Sequence, residues 1–86
     1  MSYNLELNKN VKKFLAKHED IARIFFQKIK ILQNNPSSNN LDIKSLKWKK
    51  NHYRLRIWKY RFLYEIIENE ILIYFYEADT RWDIYK

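Results

Sequence analysis

The chain contains no cysteine and no glycine, and it has one proline and one methionine. Without cysteine there is neither a disulfide framework nor a thiolate metal site, which suits a reducing cytosol. Without glycine there is no Gly-rich loop to cradle phosphates, so nucleotide-binding loops of that kind are excluded. The two histidines, His18 and His52, lie far apart, and neither HExxH nor a Cys/His metal spacing occurs. The opening MSYNLELNK lacks an apolar signal core, and no apolar run approaches the ~20 residues that span a bilayer. A cytoplasmic protein without membrane contact is expected. One further absence is local: no acidic residue occurs between Asp42 and Glu65.

What is present is enough for a core. The chain has 86 residues, 47% hydrophobic and 17% aromatic, and reads as a single domain over 1–86. The net charge of +7 suggests a polyanionic partner. Richness in Lys, Asn, Ile and Tyr is also the mark of an AT-rich coding sequence, which would supply lysines whatever the function. Arginine is not favoured by that bias, yet four of the five arginines (Arg54, Arg56, Arg61 and Arg81) lie in the C-terminal part.

Residues 3–7, YNLEL, alternate apolar and polar as a short half-buried strand does. Asn8 or Asn10 can cap a helix that carries Val11, Phe14, Leu15 and His18 on one face. A second helix from about Asp20 aligns Ile21, Ile24, Phe25, Ile29 and Leu32, and it must end before Asn35-Pro36. Three runs rich in β-branched and aromatic residues follow: His52–Ile57, Tyr60–Ile67 and Glu70–Glu77. The gaps between them, Trp58-Lys59 and Glu68-Asn69, are short enough for hairpins, although Trp58-Lys59 has no turn chemistry. The order predicts an α+β fold: an N-terminal strand and a two-helix hairpin packed on an antiparallel sheet completed by a three-stranded meander.

Alternate strand residues share a face. His52, Arg54 and Arg56 therefore point away from Tyr53, Leu55 and Ile57, and Lys44, Lys47, Lys49 and Lys50 extend the positive patch. Trp48 and Trp58 offer flat surfaces on which bases can stack. A solvated strand face accounts for these cations equally well on composition alone; the missing acids tip the reading toward a polyanion. Arg81 and Tyr85 follow the last strand, and by themselves read as a charged terminus with a packed tyrosine. His18, at the end of an apolar stripe, reads as structural.

The ordered set of elements resembles the RelE/ParE superfamily of toxins from type II toxin–antitoxin systems, RelE-like branch. The resemblance rests on the first strand, the helical hairpin ending at Asn-Pro, Leu46-Lys47, Tyr53-Arg54-Leu55-Arg56-Ile57, Tyr60-Arg61-Phe62-Leu63-Tyr64, and the terminal Arg81 and Tyr85. It implies a metal-independent endoribonuclease, needing no cofactor, that cuts messenger RNA in the ribosomal A site and is neutralised by an acidic antitoxin. The toxin–antitoxin complex would bind its own operator through the antitoxin. The 2′-hydroxyl attacks the adjacent phosphate and cations stabilise the charge that builds there, a task suited to guanidinium.

Carried over, the resemblance makes Arg54, Arg61, Arg81 and Tyr85 catalytic, with Arg61 and Arg81 on the scissile phosphate. Lys47, Lys49, Lys50, His52 and Arg56 would bind RNA. Tyr85 is the base by resemblance; His52 is a candidate on chemistry. The glycines usual before the Tyr-Arg of the third strand and after the Leu-Lys element are missing. ParE-like relatives would instead inhibit DNA gyrase by binding, without cutting RNA, and a further member could bind its antitoxin alone.

Overall fold

A computed structural model describes residues 2–36 and 40–79. Strand β1 (Asn4–Leu7) leads into helices α1 (Lys9–Lys17) and α2 (Glu19–Asn34). Strands β2 (Ile43–Ser45), β3 (His52–Ile57), β4 (Tyr60–Ile67) and β5 (Leu72–Asp79) follow. Of the two candidate caps Asn8 is the one used: its side-chain oxygen accepts the Val11 N–H at 2.9 Å. Helix α2 ends at Asn34, one residue before Asn35-Pro36.

The sheet order is β1-β5-β4-β3-β2, antiparallel from β2 to β5 but parallel between β1 and β5. The sheet is therefore mixed. A helical crossover rather than a tight turn carries the chain out of β1, and only such a connection lets a strand join its neighbour in parallel. Alternation in YNLEL cannot reveal that direction. Strand β2, three residues long, lies in a stretch with no readable period and is held by pairing with β3.

The helices cover one face. Phe25 of α2 meets Phe62 of β4 at 4.8 Å and Phe75 of β5 at 5.1 Å between ring centroids, and Tyr64 lies 4.7 Å from Phe75. Val11, Leu15, Ile21, Ile29, Leu32, Leu55, Ile57 and Ile73 complete this buried layer. His18 is structural, as expected. Its ring stacks on Phe14 at 4.2 Å, meets Tyr60 edge-on at 5.2 Å, and its Nδ1–H donates to the Phe14 carbonyl at 2.9 Å.

The β3–β4 hairpin has the predicted two-residue turn, with Ile57 paired to Tyr60. Trp58 takes φ 57° there, a region that favours glycine. The next connection is longer than expected. Glu68–Glu70 form a 3-10 turn and Ile71 adopts φ 49°, so β5 starts at Leu72 and runs to Asp79. Among the described residues, no helix is long and apolar enough to cross a membrane.

Candidate nucleic-acid interface

The alternation of β3 sorts its side chains as expected. Leu55 and Ile57 are buried under the helices, and His52, Arg54 and Arg56 lie on the opposite face. Whether Arg61 joins them depends on the hairpin register, and the register places it directly opposite Arg56. Behind this pair, Arg54 lies between Lys44 on β2 and Leu63 on β4, and His52 lies opposite Glu65.

This face is not a uniformly solvated plane. Arg54 retains only 8% of its exposure, and Leu46 and Leu63, which share its face, are buried too. Desolvating a guanidinium is costly unless it is paired. Asp42 provides the partner: Arg54 Nη2 donates to Oδ1 at 2.8 Å and Arg56 Nε to Oδ2 at 2.6 Å. The Arg56 N–H also donates to the Asp42 carbonyl at 2.9 Å. One carboxylate thus aligns two arginines of one strand. The last acid before the cationic run is the residue that orders it.

Arg61 is held differently. Its Nη1 donates to the Lys59 carbonyl at 3.0 Å, and its buried Nε has no partner among the described residues. On β5 the register places Asp79 opposite Arg61. Lys47, Lys49 and Lys50 are exposed on the turn between β2 and β3. Beside them is a cleft of about 150 Å³ lined by Lys44, Ser45, Leu46, Lys47, Trp48 and Arg54. Trp48, 56% exposed, borders it, whereas Trp58, 67% exposed, sits at the hairpin tip.

His52 has two polar neighbours. Its Nδ1 lies 2.8 Å from the Tyr76 hydroxyl, and its Nε2 lies 3.7 Å from the Glu65 carboxylate. Burial, then the charges of Glu65 and Glu77, raise the Tyr76 phenol above its ordinary pKa. Sequence reasoning missed Tyr76, Glu65 and Asp42. The alternation Ile73-Tyr74-Phe75-Tyr76 does place both tyrosines opposite the buried pair, so a signal for Tyr76 was present. Arg81 and Tyr85 lie outside the described residues.

The sequence matches no protein-family model and no curated protein. Solved structures do match it. One is the RelB–RelE antitoxin–toxin complex from Methanococcus jannaschii, 32% identical with a TM-score of 0.71, over 93% of this chain and 94% of that one. Another is the archaeal RelE–RelB complex from Pyrococcus horikoshii, 23% identical with a TM-score of 0.75, over 92% and 94%. The intact E. coli RelBE complex is 13% identical with a TM-score of 0.77, over 93% and 98%. The latter two likenesses are of fold.

Proposed function

The chain belongs to the RelE toxin family, and on that premise we propose that it is a metal-independent endoribonuclease toxin that cleaves messenger RNA in the ribosomal A site. The observation that carries the reading is the cationic row itself. Arg56 and Arg61 oppose each other across β3 and β4, with Arg54 and Lys44 alongside, on the sheet face away from the helices. Planar guanidiniums with free N–H groups match phosphate oxygens in pairs and stay charged at any physiological pH.

In this reaction the 2′-oxygen attacks the adjacent phosphorus and the 5′-oxygen leaves, giving a 2′,3′-cyclic phosphate and a 5′-hydroxyl. Charge accumulates on the phosphoryl oxygens, where preorganised cations lower the barrier. Arg61 and Arg81 hold the scissile phosphate, Arg54 supports it, and Lys47, Lys49, Lys50 and Arg56 track the flanking backbone. Tyr85 or His52 is the general base. The similar structures are complexes of RelE with RelB, and an acidic antitoxin would cover the same face of this chain by charge complementarity. Its complex with the toxin would bind the shared operator.

Induction in a bacterial host, with primer extension on a reporter message, tests the reading. Codon-linked cuts that disappear in Arg81→Ala and Tyr85→Phe support it. Growth arrest with intact message and stalled gyrase moves the chain to the ParE-like mode.

A further inference from the structure

The cleft beside the β2–β3 turn belongs to the face that carries the arginine row. Lys44 and Arg54, two of its walls, oppose each other across the ladder, and Leu46 lies two residues beyond Lys44 on the same face. Arg54 precedes Arg56 by two residues, about 7 Å along the strand. The cleft is therefore within reach of a nucleotide next to a phosphate held at Arg56 and Arg61. Most of its lining residues are polar, yet its wall is almost wholly apolar. A lysine makes this possible by laying its methylene stem along such a surface while its ammonium stays in water.

Size, one orphaned donor and the charge of the rim define what fits. An apolar cavity of about 150 Å³ accepts one six-membered aromatic ring. Arg54 is more than nine-tenths buried, and its Nη2 is taken by Asp42, but its buried Nε–H has no partner among the described residues. A buried donor left in this state is costly, and an acceptor on a bound ring would satisfy it. Around the cleft Lys44, Lys47, Lys49 and Lys50 are all exposed, a rim suited to phosphates on either side of the ring. Trp48, 56% exposed, supplies a flat wall.

We propose that this cleft takes a single pyrimidine base, uracil above all, from single-stranded RNA. The proposal rests on the ribonuclease reading above and deepens it by naming a base subsite beside the scissile phosphate. The base is splayed out of the strand, its ring against Trp48 and Leu46, and a ring carbonyl accepts from Arg54 Nε. The flanking phosphates meet Lys44 and Lys47. Single-stranded RNA is commonly held in this way, with unstacked bases on aromatic side chains and cations along the backbone. Uracil has two ring carbonyls. Adenine has none, and its second ring exceeds the volume. Arg54 then supports the scissile phosphate by fixing the nucleotide beside it.

The test uses short single strands of equal length that carry uracil, adenine or no base, with their 2′-hydroxyls removed so that none can be cut. Fluorescence anisotropy measures their affinity for the wild-type chain, Trp48→Ala and Trp48→Phe, each checked for folding by circular dichroism. The wild type should bind the uracil strand about tenfold more tightly than either of the others. Trp48→Ala should lose that advantage, leave the abasic strand within about twofold, and keep the slope of log affinity against log salt, because no charge is removed. Trp48→Phe should keep most of the advantage. Adenine bound as tightly as uracil, or uracil bound by Trp48→Ala within about threefold of wild type, overturns the proposal. If message on ribosomes is still cut in that case, the ribonuclease reading stands. Intact message with the uracil preference kept overturns the cutting and leaves the cleft as a base site, and intact message with no strand bound overturns both.

Discussion

Arg56 stands directly opposite Arg61 across the β3–β4 ladder. Like charges facing each other on a sheet are destabilising, typically by a few tenths to ~1 kcal/mol. Asp42 pairs with Arg56, whereas Arg61 donates to a backbone carbonyl and stands opposite Asp79 across β4–β5. Flanked by a like charge on β3 and an opposite one on β5, Arg61 should be nearly neutral for the fold: Arg61→Leu should change the unfolding free energy by less than about 0.5 kcal/mol, read by urea denaturation, while lowering toxicity at least tenfold. Loss of both stability and toxicity would mean that Arg61 serves the fold.

Asp42 makes the opposite contribution. Asp42→Asn leaves the Arg54 guanidinium buried without its counter-charge, so the unfolding free energy should fall by roughly 1–3 kcal/mol, toward the lower end because Asp42 is itself partly exposed. The same change adds one unneutralised cation to the face. RNA binding should then tighten, with the slope of log affinity against log salt steeper by about one unit. An unchanged slope would show that Asp42 does not screen the face.

The fold was legible because its elements follow from local patterns: the helical stripe of α2, the Asn8 cap, and the alternation of β3 and β4. The direction of β1 and the existence of β2 were not, since both depend on which strand each one meets. The site divides in the same way. Alternation along one strand placed His52, Arg54 and Arg56 together, but Asp42, Glu65 and Tyr76 enter through cross-strand register and a bulge, which no single segment encodes. The turn at Trp58-Lys59, without turn chemistry, still has two residues because the paired strands impose it.

That turn carries strain. Trp58 is exposed and holds a positive φ that a residue with a Cβ adopts at a cost. Trp58→Gly should raise the unfolding free energy by about 1 kcal/mol, less what the extra freedom of glycine adds to the unfolded chain. If RNA affinity falls as stability rises, Trp58 is a stacking surface kept at the expense of the turn.

Tyr3, Tyr64 and Tyr76 all have phenols raised above the ordinary value, Tyr3 through its hydrogen bond to Glu68, and the latter two bear on the alkaline limit through burial. Burial, then the neighbouring Tyr53, raises the Tyr64 pKa, and burial, Glu65 and Glu77 raise that of Tyr76. A group whose folded pKa is raised contributes stability in full below its unfolded value of about 10, and that contribution is lost as pH climbs through the folded value. Stability should decline above about pH 10, and less steeply in Tyr64→Phe. Because the buried Tyr64 hydroxyl has no hydrogen-bond partner among the described residues, Tyr64→Phe at neutral pH should cost nothing and can gain up to about 1 kcal/mol. Urea titrations across the alkaline range measure both effects.

The arginine row is proposed to act on RNA phosphate. The most direct measurement mixes the purified chain with message-loaded ribosomes and counts 2′,3′-cyclic phosphate ends with wild type and with Arg61→Ala. Codon-linked ends are expected with the wild type and at least tenfold fewer with Arg61→Ala while its circular dichroism stays unchanged, the loss expected when a cation on the transition-state phosphate is removed. Equal cleavage by both proteins, or intact message with both, would contradict it.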